Sequence, residues 1–223
     1  IEVPLLPEAQ HLLGLVQNPR FHIYDTWEHT LLAIDSSPRE LAMRWALVLH
    51  DLGKGLSNVR IIKPDGEPSG PGHEAQSAKM AEAILQRLRY GEDFSRLVVW
   101  LVAQHMRFAP MLLTGEKTLQ RWLRHEAANG PFRTQAQLVT GYKLLTEVFW
   151  ADMGATHARE NQLLMAEGRA LGEQVISMAQ ESMPIASQDL AVKGRELLEL
   201  VPQNEIKNTF SRIGSISVIK GTN

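Results

Sequence analysis

The sequence predicts an all-α fold on three observations. Apolar residues recur at spacings of three and four along most of the chain, the period of an amphipathic helix. Eleven prolines and sixteen glycines fall mostly between the periodic stretches, where they act as punctuation. No segment alternates convincingly enough to suggest a β-sheet, and no internal repeat or low-complexity tract interrupts the pattern.

Taken in order, a first helix is predicted over residues 8–16 and a second over 26–36. Ser37-Pro38 reads as a cap followed by a proline at the first helical position, opening a helix that runs towards Asp51. Residues 61–72 hold Pro64, Pro68, Pro71 and three glycines and read as a loop, with Asp65-Gly66 as a turn dipeptide. Helix resumes over 73–90, with Gly91 as its expected stop, and again over 93–105 and 116–127. Pro131 is expected to begin a long helix to Gly154, followed by helices over 159–180 and 187–200. The tail from Pro202 is weakly patterned. Residues 1–181 form the expected main domain and 182–223 a C-terminal helical extension.

Composition narrows the chemistry. With 223 residues the chain is long enough for a buried core, and with no cysteine it excludes thiolate catalysis, iron–sulfur clusters and cysteine-held zinc. Any metal must therefore be held by His, Asp, Glu or backbone oxygens. A net charge of −2 argues against a dominant polyphosphate-binding surface. No run approaches the roughly 18 apolar residues of a membrane span. The opening Ile1-Glu2-Val3-Pro4 lacks the basic start of a signal peptide, so a cytoplasmic protein is expected.

Eight histidines occur, and three of them, with Asp152, fall where helical periodicity points inward. His50-Asp51 ends an apolar helix and is followed by Leu52-Gly53-Lys54-Gly55. Neighbours on a helix diverge by about 100°, so both can reach one ion at a helix end. Asp152 continues the stripe Leu138, Tyr142, Leu145 and Phe149, while His105 continues Val98, Leu101 and Val102. His29 shares a face with Leu32 and Ala33, and His73 with Ser77, Met80, Ile84 and Leu88. For any one of these residues a hydrogen-bonded core role is the simpler account. Several inward polar groups without a common partner would be expensive, and a bound metal supplies that partner. His11, His125 and His157 fit no ligand position, and Trp45, Trp100, Trp122 and Trp150 read as core.

The order His29, His50-Asp51, Asp152 resembles the H…HD…D signature of the HD-domain superfamily of metal-dependent phosphohydrolases. His73 and His105 match positions that hold a second metal in many members. The likeness covers about residues 20–155 and implies an HD-domain helical bundle. Within the superfamily the chain is most similar to the HD body of bacterial tRNA nucleotidyltransferases. That closer likeness rests on Phe21-His22, Trp27-Glu28-His29-Thr30-Leu31, the His50–Gly55 run, Gly72-His73-Glu74 and Asp189–Leu198. The catalytic head of those enzymes, with its glycine-rich nucleotide motif and paired aspartates, has no counterpart here, so nucleotide addition does not carry over. The chain reads as either an HD fragment of such an enzyme or a stand-alone relative.

The resemblance implies a first divalent metal on His29, His50, Asp51 and Asp152, with Asp51 bridging to a second on His73 and His105. Such a pair would activate water against a nucleotide or related phosphoester. Imidazole and carboxylate ligands favour Mn, Fe, Co, Ni or Zn over Mg alone without selecting one. Catalytic roles fall to Asp51 and Lys54, whose ammonium would neutralise phosphate charge. Glu74 would orient His73 or accept a proton, His22 and Arg107 are candidate substrate contacts, and loop 61–72 is a candidate lid. A competing reading is an RNA-handling body that binds tRNA through Arg20, Arg121, Arg124, Arg133, Lys143 and Arg195, its hydrolase site secondary or vestigial. A silent interaction module is the third.

Overall fold

The computed structural model describes residues 5–113 and 116–181. Within them lie eight α-helices: α1 (Thr26–Asp35), α2 (Leu41–Leu49), α3 (His73–Arg87), α4 (Glu92–Gln104), the short α5 (Phe108–Met111), α6 (Glu116–Asn129), α7 (Gln135–Gly154) and α8 (Gln162–Gln180). Single 3₁₀ turns span Pro7–Leu12, Leu52–Gly55 and His157–Glu160. The all-α prediction therefore holds, with one small exception. Strands β1 (Ile61–Ile62) and β2 (Pro68–Ser69) form a two-residue antiparallel hairpin inside the segment predicted to be loop. Asp65-Gly66 makes the predicted turn: Gly66 donates its N–H to Lys63 and Lys63 donates to Glu67, both at 2.9 Å. The expected helix over 187–200, the extension 182–223 and the motif Asp189–Leu198 lie outside the described residues.

The bundle is organised around α4 and α7. Helix α4 packs on α2, α3 and α7, and α7 also packs on α1, α2 and α8. The predicted stripes are the buried ones: Val98, Leu101 and Val102 on α4, and Leu138, Tyr142, Leu145 and Phe149 on α7. Around Tyr142 an aromatic cluster forms, with Trp100, Trp122 and Phe132 at centroid distances of 5.6, 5.3 and 6.3 Å. Removing a buried side chain of this size typically costs about 3–5 kcal/mol. Trp45 and Trp150 are only half-buried. Trp45 donates to the Tyr90 hydroxyl at 2.8 Å, and Arg169 stacks 4.2 Å over Trp150. Among the described residues, no helix is long and apolar enough to cross a membrane.

Helix boundaries depart from the predicted ones where side chains outside the periodic pattern take over. The first helix is only a 3₁₀ turn ending at Leu12. Gly14 follows at φ +68°, a left-handed conformation that ends the turn, and its N–H bonds the Asp25 carboxylate at 2.9 Å. Ser37 does not cap α2, because its hydroxyl donates back to Ile34 at 2.7 Å. Glu40 is the cap instead, accepting the Met43 N–H through its carboxylate at 2.6 Å. Helix α3 stops at Arg87, with Arg89 rather than Gly91 taking the left-handed position at φ 59°; Gly91 precedes α4. Helix α7 begins after Thr134, which caps Gln137, because residues 131–134 first carry Phe132 into the aromatic core. Asn161 caps Leu164 and thereby separates the turn at 157–160 from α8.

Candidate metal centre

Helix ends, rather than helix middles, build the site. His50 is the C-terminal cap of α2 and His105 that of α4, while Asp152 lies in the last turn of α7. The negative ends of three helices thus face one region, but the positive N-terminal ends of α1 and α3 face it too, so the side chains rather than the dipoles decide what binds. His73 is the first residue of α3, and α1 contributes His29. Asp51 leaves the helix at φ −106° and ψ 4°, so its side chain swings off the α2 axis. The following Gly53 permits this: a Cβ there would sit 2.4 Å from the His73 carbonyl oxygen. Its N–H bonds the Ser77 hydroxyl at 2.8 Å, fixing the Asp51–Gly55 turn against α3.

Each of the four histidines uses Nδ1 on a backbone carbonyl: His29 on Ala155 at 3.2 Å, His50 on Leu47 at 2.7 Å, His73 on Gly70 at 2.8 Å and His105 on Val102 at 2.7 Å. A carbonyl only accepts, so Nδ1 carries the proton and Nε2 turns inward as the ligand atom. Those inward nitrogens meet Asp51 from two sides. Its Oδ2 lies 3.3 Å from His50 Nε2 and 3.9 Å from His29 Nε2. Its Oδ1 lies 3.1 Å from His73 Nε2 and 3.9 Å from His105 Nε2. Asp152 Oδ1 closes the first group, 2.9 Å from His29 Nε2 and 3.6 Å from His50 Nε2. His29, His50 and Asp51 can share one ion, and Asp51, His73 and His105 another.

The donor set fits a metal. His29, His50 and Asp51 are almost wholly buried, yet Nε2 of both histidines and both Asp51 oxygens have no well-formed hydrogen bond, only ion-pair contacts with one another, Asp152 and Lys54. Buried polar atoms left so are costly, and a divalent ion satisfies them together. Without metal, protons do the balancing. Burial opposes charge on His50, but the Asp51 and Asp152 carboxylates outweigh it and raise the imidazole to about 10. Burial is likewise outweighed at Asp51 by His50 and Lys54, and at Asp152 by the adjacent His29 and His50 imidazoles, so both carboxylates titrate well below their usual range. His105 moves the other way, to about 3, through burial and then the charge on His50.

Beside the centre opens a cavity of about 580 Å³, with His73 in its wall. Lys54, His22, Arg107 and Glu74, all singled out in the sequence, line it. Lys54 is no exposed loop lysine: its Nζ lies 2.7 Å from Asp51 Oδ2 and 2.8 Å from Gln17 Oε1. His22 stands edge-on to the His29 ring with centroids 5.0 Å apart, and burial followed by Lys54 and His29 lowers it to about 3. Arg107 is exposed at the cavity edge. Glu74 lies 3.7 Å from His73 Nδ1, which is already satisfied by Gly70 at 2.8 Å, so the backbone and not this carboxylate orients that ligand. The hairpin at 61–69 contributes Lys63, Pro68 and Ser69 to the wall. Sequence reasoning missed Gln17, Arg60 and Lys63, because none lies on a periodic face. His11, His125 and His157 are exposed, as expected.

Helix ends converging on a His/Asp cluster define a class, and comparison with known families agrees. The chain belongs to the HD domain family, whose model matches residues 22–140. The match stops short of Asp152, which α7 brings back to the cluster. Among curated proteins, the chain is 34% identical over 134 residues to a Multifunctional CCA protein of Azoarcus sp. (strain BH72), covering 58% of this chain and 31% of that one. A Multifunctional CCA protein of Aromatoleum aromaticum is 37% identical over 105 residues, 45% of this chain and 25% of the relative. One of Alkalilimnicola ehrlichii is 39% identical over 101 residues, 42% and 23% respectively. The chain thus spans about a quarter to a third of the length of these relatives. The relatives agree with the resemblance drawn from the sequence. No solved structure matches the chain.

Proposed function

We propose that the protein is a metal-dependent phosphohydrolase acting in the cytoplasm on a nucleotide or related phosphoester. The observation that carries this reading is Asp51, whose two oxygens each face a separate pair of histidines beside a cavity lined by Lys54, Arg60, Lys63 and Arg107. His29, His50, Asp51 and Asp152 would hold one divalent ion, and Asp51, His73 and His105 a second. Bound there, such ions polarise a phosphoryl oxygen and lower the pKa of a water. The remaining work falls to the chain. The four backbone carbonyls on Nδ1 keep the imidazoles aimed inward, and Asp51 holds both halves in register. Lys54, once a ligand competes for Asp51, stands ready to neutralise phosphoryl charge from the cavity side. His22 and Arg107 contact the substrate from the wall.

Elemental analysis together with phosphoester hydrolysis tests this reading. The expected result is a transition metal bound by the parent protein, and hydrolysis abolished by Asp51→Ala. Variants that lose the metal yet hydrolyse as well as the parent would contradict it.

A second reading, an RNA-handling body with tRNA as partner, is favoured by the Multifunctional CCA relatives. Two of its basic residues are already paired with carboxylates, Arg20 with Asp65 and Glu67 and Arg133 with Asp93, and Arg124 hydrogen-bonds Gln120. Arg195 lies outside the described residues. A salt-dependent tRNA affinity would support this reading, and the absence of any such affinity would remove it.

A further inference from the structure

Gln17 lies in a stretch with no regular secondary structure, yet that stretch is tightly held. The Leu15 carbonyl accepts both the N–H and the hydroxyl of Thr26 at 3.0 Å, and the Val16 carbonyl accepts from Arg60 Nη2 at 2.8 Å. Past Gln17, the Asn18 carbonyl accepts the N–H groups of Phe21 and His22 at 3.1 and 3.0 Å. The glutamine itself is only 8% exposed. Its carboxamide can be oriented without ambiguity. Lys54 Nζ is a donor only, so the group 2.8 Å from it must be Oε1, which leaves Nε2 on the far side. That nitrogen is buried and has no hydrogen-bond partner, although Gln17 lines the cavity beside the metal cluster. His22, on the same wall, likewise has a buried Nδ1 without a partner.

A buried carboxamide donor with nothing to donate to is expensive, and a loop so well fixed could have buried an apolar side chain there instead. The neighbours of Gln17 indicate what it awaits. Lys54 brings three N–H donors and no acceptor, two of them turned to Asp51 and Gln17 Oε1, and the carboxamide nitrogen brings two more donors. A donor-only set matches the oxygens of a tetrahedral phosphoryl group, whose charge also makes the hydrogen bonds stronger. We propose that Gln17 is a substrate-binding residue that donates through Nε2 to a phosphoryl oxygen while its Oε1 holds Lys54 over the same group. The inference deepens the phosphohydrolase reading and rests on it for the identity of the site.

Orthophosphate is the probe, its binding measured by calorimetry on metal-loaded parent, Gln17→Glu and Gln17→Met, alongside kcat, KM, metal content and melting temperature. Gln17→Glu keeps an acceptor for Lys54 but removes the donor. Gln17→Met keeps the length and removes both. The expected result is phosphate binding weakened about tenfold or more in both variants, with KM raised more than kcat falls and metal content unchanged. Unchanged phosphate affinity and KM in both variants would overturn the proposal, as would a parent that binds no phosphate. A loss confined to metal content or melting temperature would overturn it too, since Gln17 would then be purely structural. If the parent binds phosphate in a Gln17-dependent way but hydrolyses no phosphoester, the hydrolase reading falls and this inference stands. If it hydrolyses with Gln17 indifferent, the reverse holds.

Discussion

The two halves of the site are built by opposite means. On the candidate metal side, five regular helices deliver one or two candidate ligands each, and each of the four imidazoles is locked by a backbone carbonyl. On the cavity side, most of the wall comes from the irregular segment 13–22 and the hairpin arm 60–72, held by side chains such as Arg60 and Arg20, with smaller contributions from α1, α3, α4 and α5. Helices fix atoms to within the tolerance a metal demands. Loops fix them less strictly and are free to suit whatever the site binds. On the proposed reading, ligation and specificity fall to different kinds of structure, and perturbing each half should leave a different signature.

The largest effect is expected on the metal side. Asp51→Asn should lower kcat by about a thousandfold or more while the protein still melts cooperatively, since it removes the one carboxylate shared by both ligand groups. Hydrolysis of a chromogenic phosphodiester at saturating substrate measures it.

Next comes Lys54→Met on the boundary between the halves. It should cost roughly 10²-fold in kcat/KM with metal content retained, the behaviour of a charge that stabilises phosphate rather than holds an ion. Loss of metal in this variant would instead make Lys54 part of the metal half.

Gly53→Ala should destabilise the fold by about 1–3 kcal/mol in a denaturant titration, because the added Cβ would meet the His73 carbonyl at 2.4 Å. The same push on the start of α3 should weaken the His73–His105 position more than the His29–His50 one.

Metal uptake should also depend on pH. His50 rises to about 10 in the metal-free protein, so at neutral pH it carries a proton that a metal must displace. Apparent metal affinity should therefore climb as pH increases towards 10 and fall on acidification. Calorimetry in two buffers of different ionisation enthalpy should show proton release on binding at pH 7.

The smallest effect belongs to the cavity side. Arg20→Ala breaks an exposed ion pair to Asp65 and a half-buried one to Glu67, both long at 3.7 and 3.6 Å, and should change stability by less than about 1 kcal/mol. Any kinetic change should fall on KM.

The same division explains what could be read from sequence. Inward pointing of Asp152 and His105 followed from stripes that the fold buries as expected, since burial of a helix face imposes a periodic pattern. His50-Asp51 was legible because two ligand types end an apolar helix. The second role of Asp51, facing two histidine pairs with opposite oxygens, followed only from a family resemblance, because no spacing encodes how α1, α3 and α4 converge. Gln17 was invisible. Its burial depends on Gly14 breaking the first helix and on Lys54 and Arg60 arriving from forty residues away, and neither leaves a periodic trace. Ser37-Pro38 failed for a local reason: the Ser37 hydroxyl found the end of α1 before the start of α2.

The most direct measurement is metal stoichiometry on reconstituted protein, comparing the parent with His73→Ala/His105→Ala and with Asp51→Ala. An Asp51 bridge between two ions predicts about two ions per chain in the parent, one in the histidine double variant, and loss of tight binding at both positions in Asp51→Ala. A full complement of metal in Asp51→Ala, with the protein folded, would contradict it.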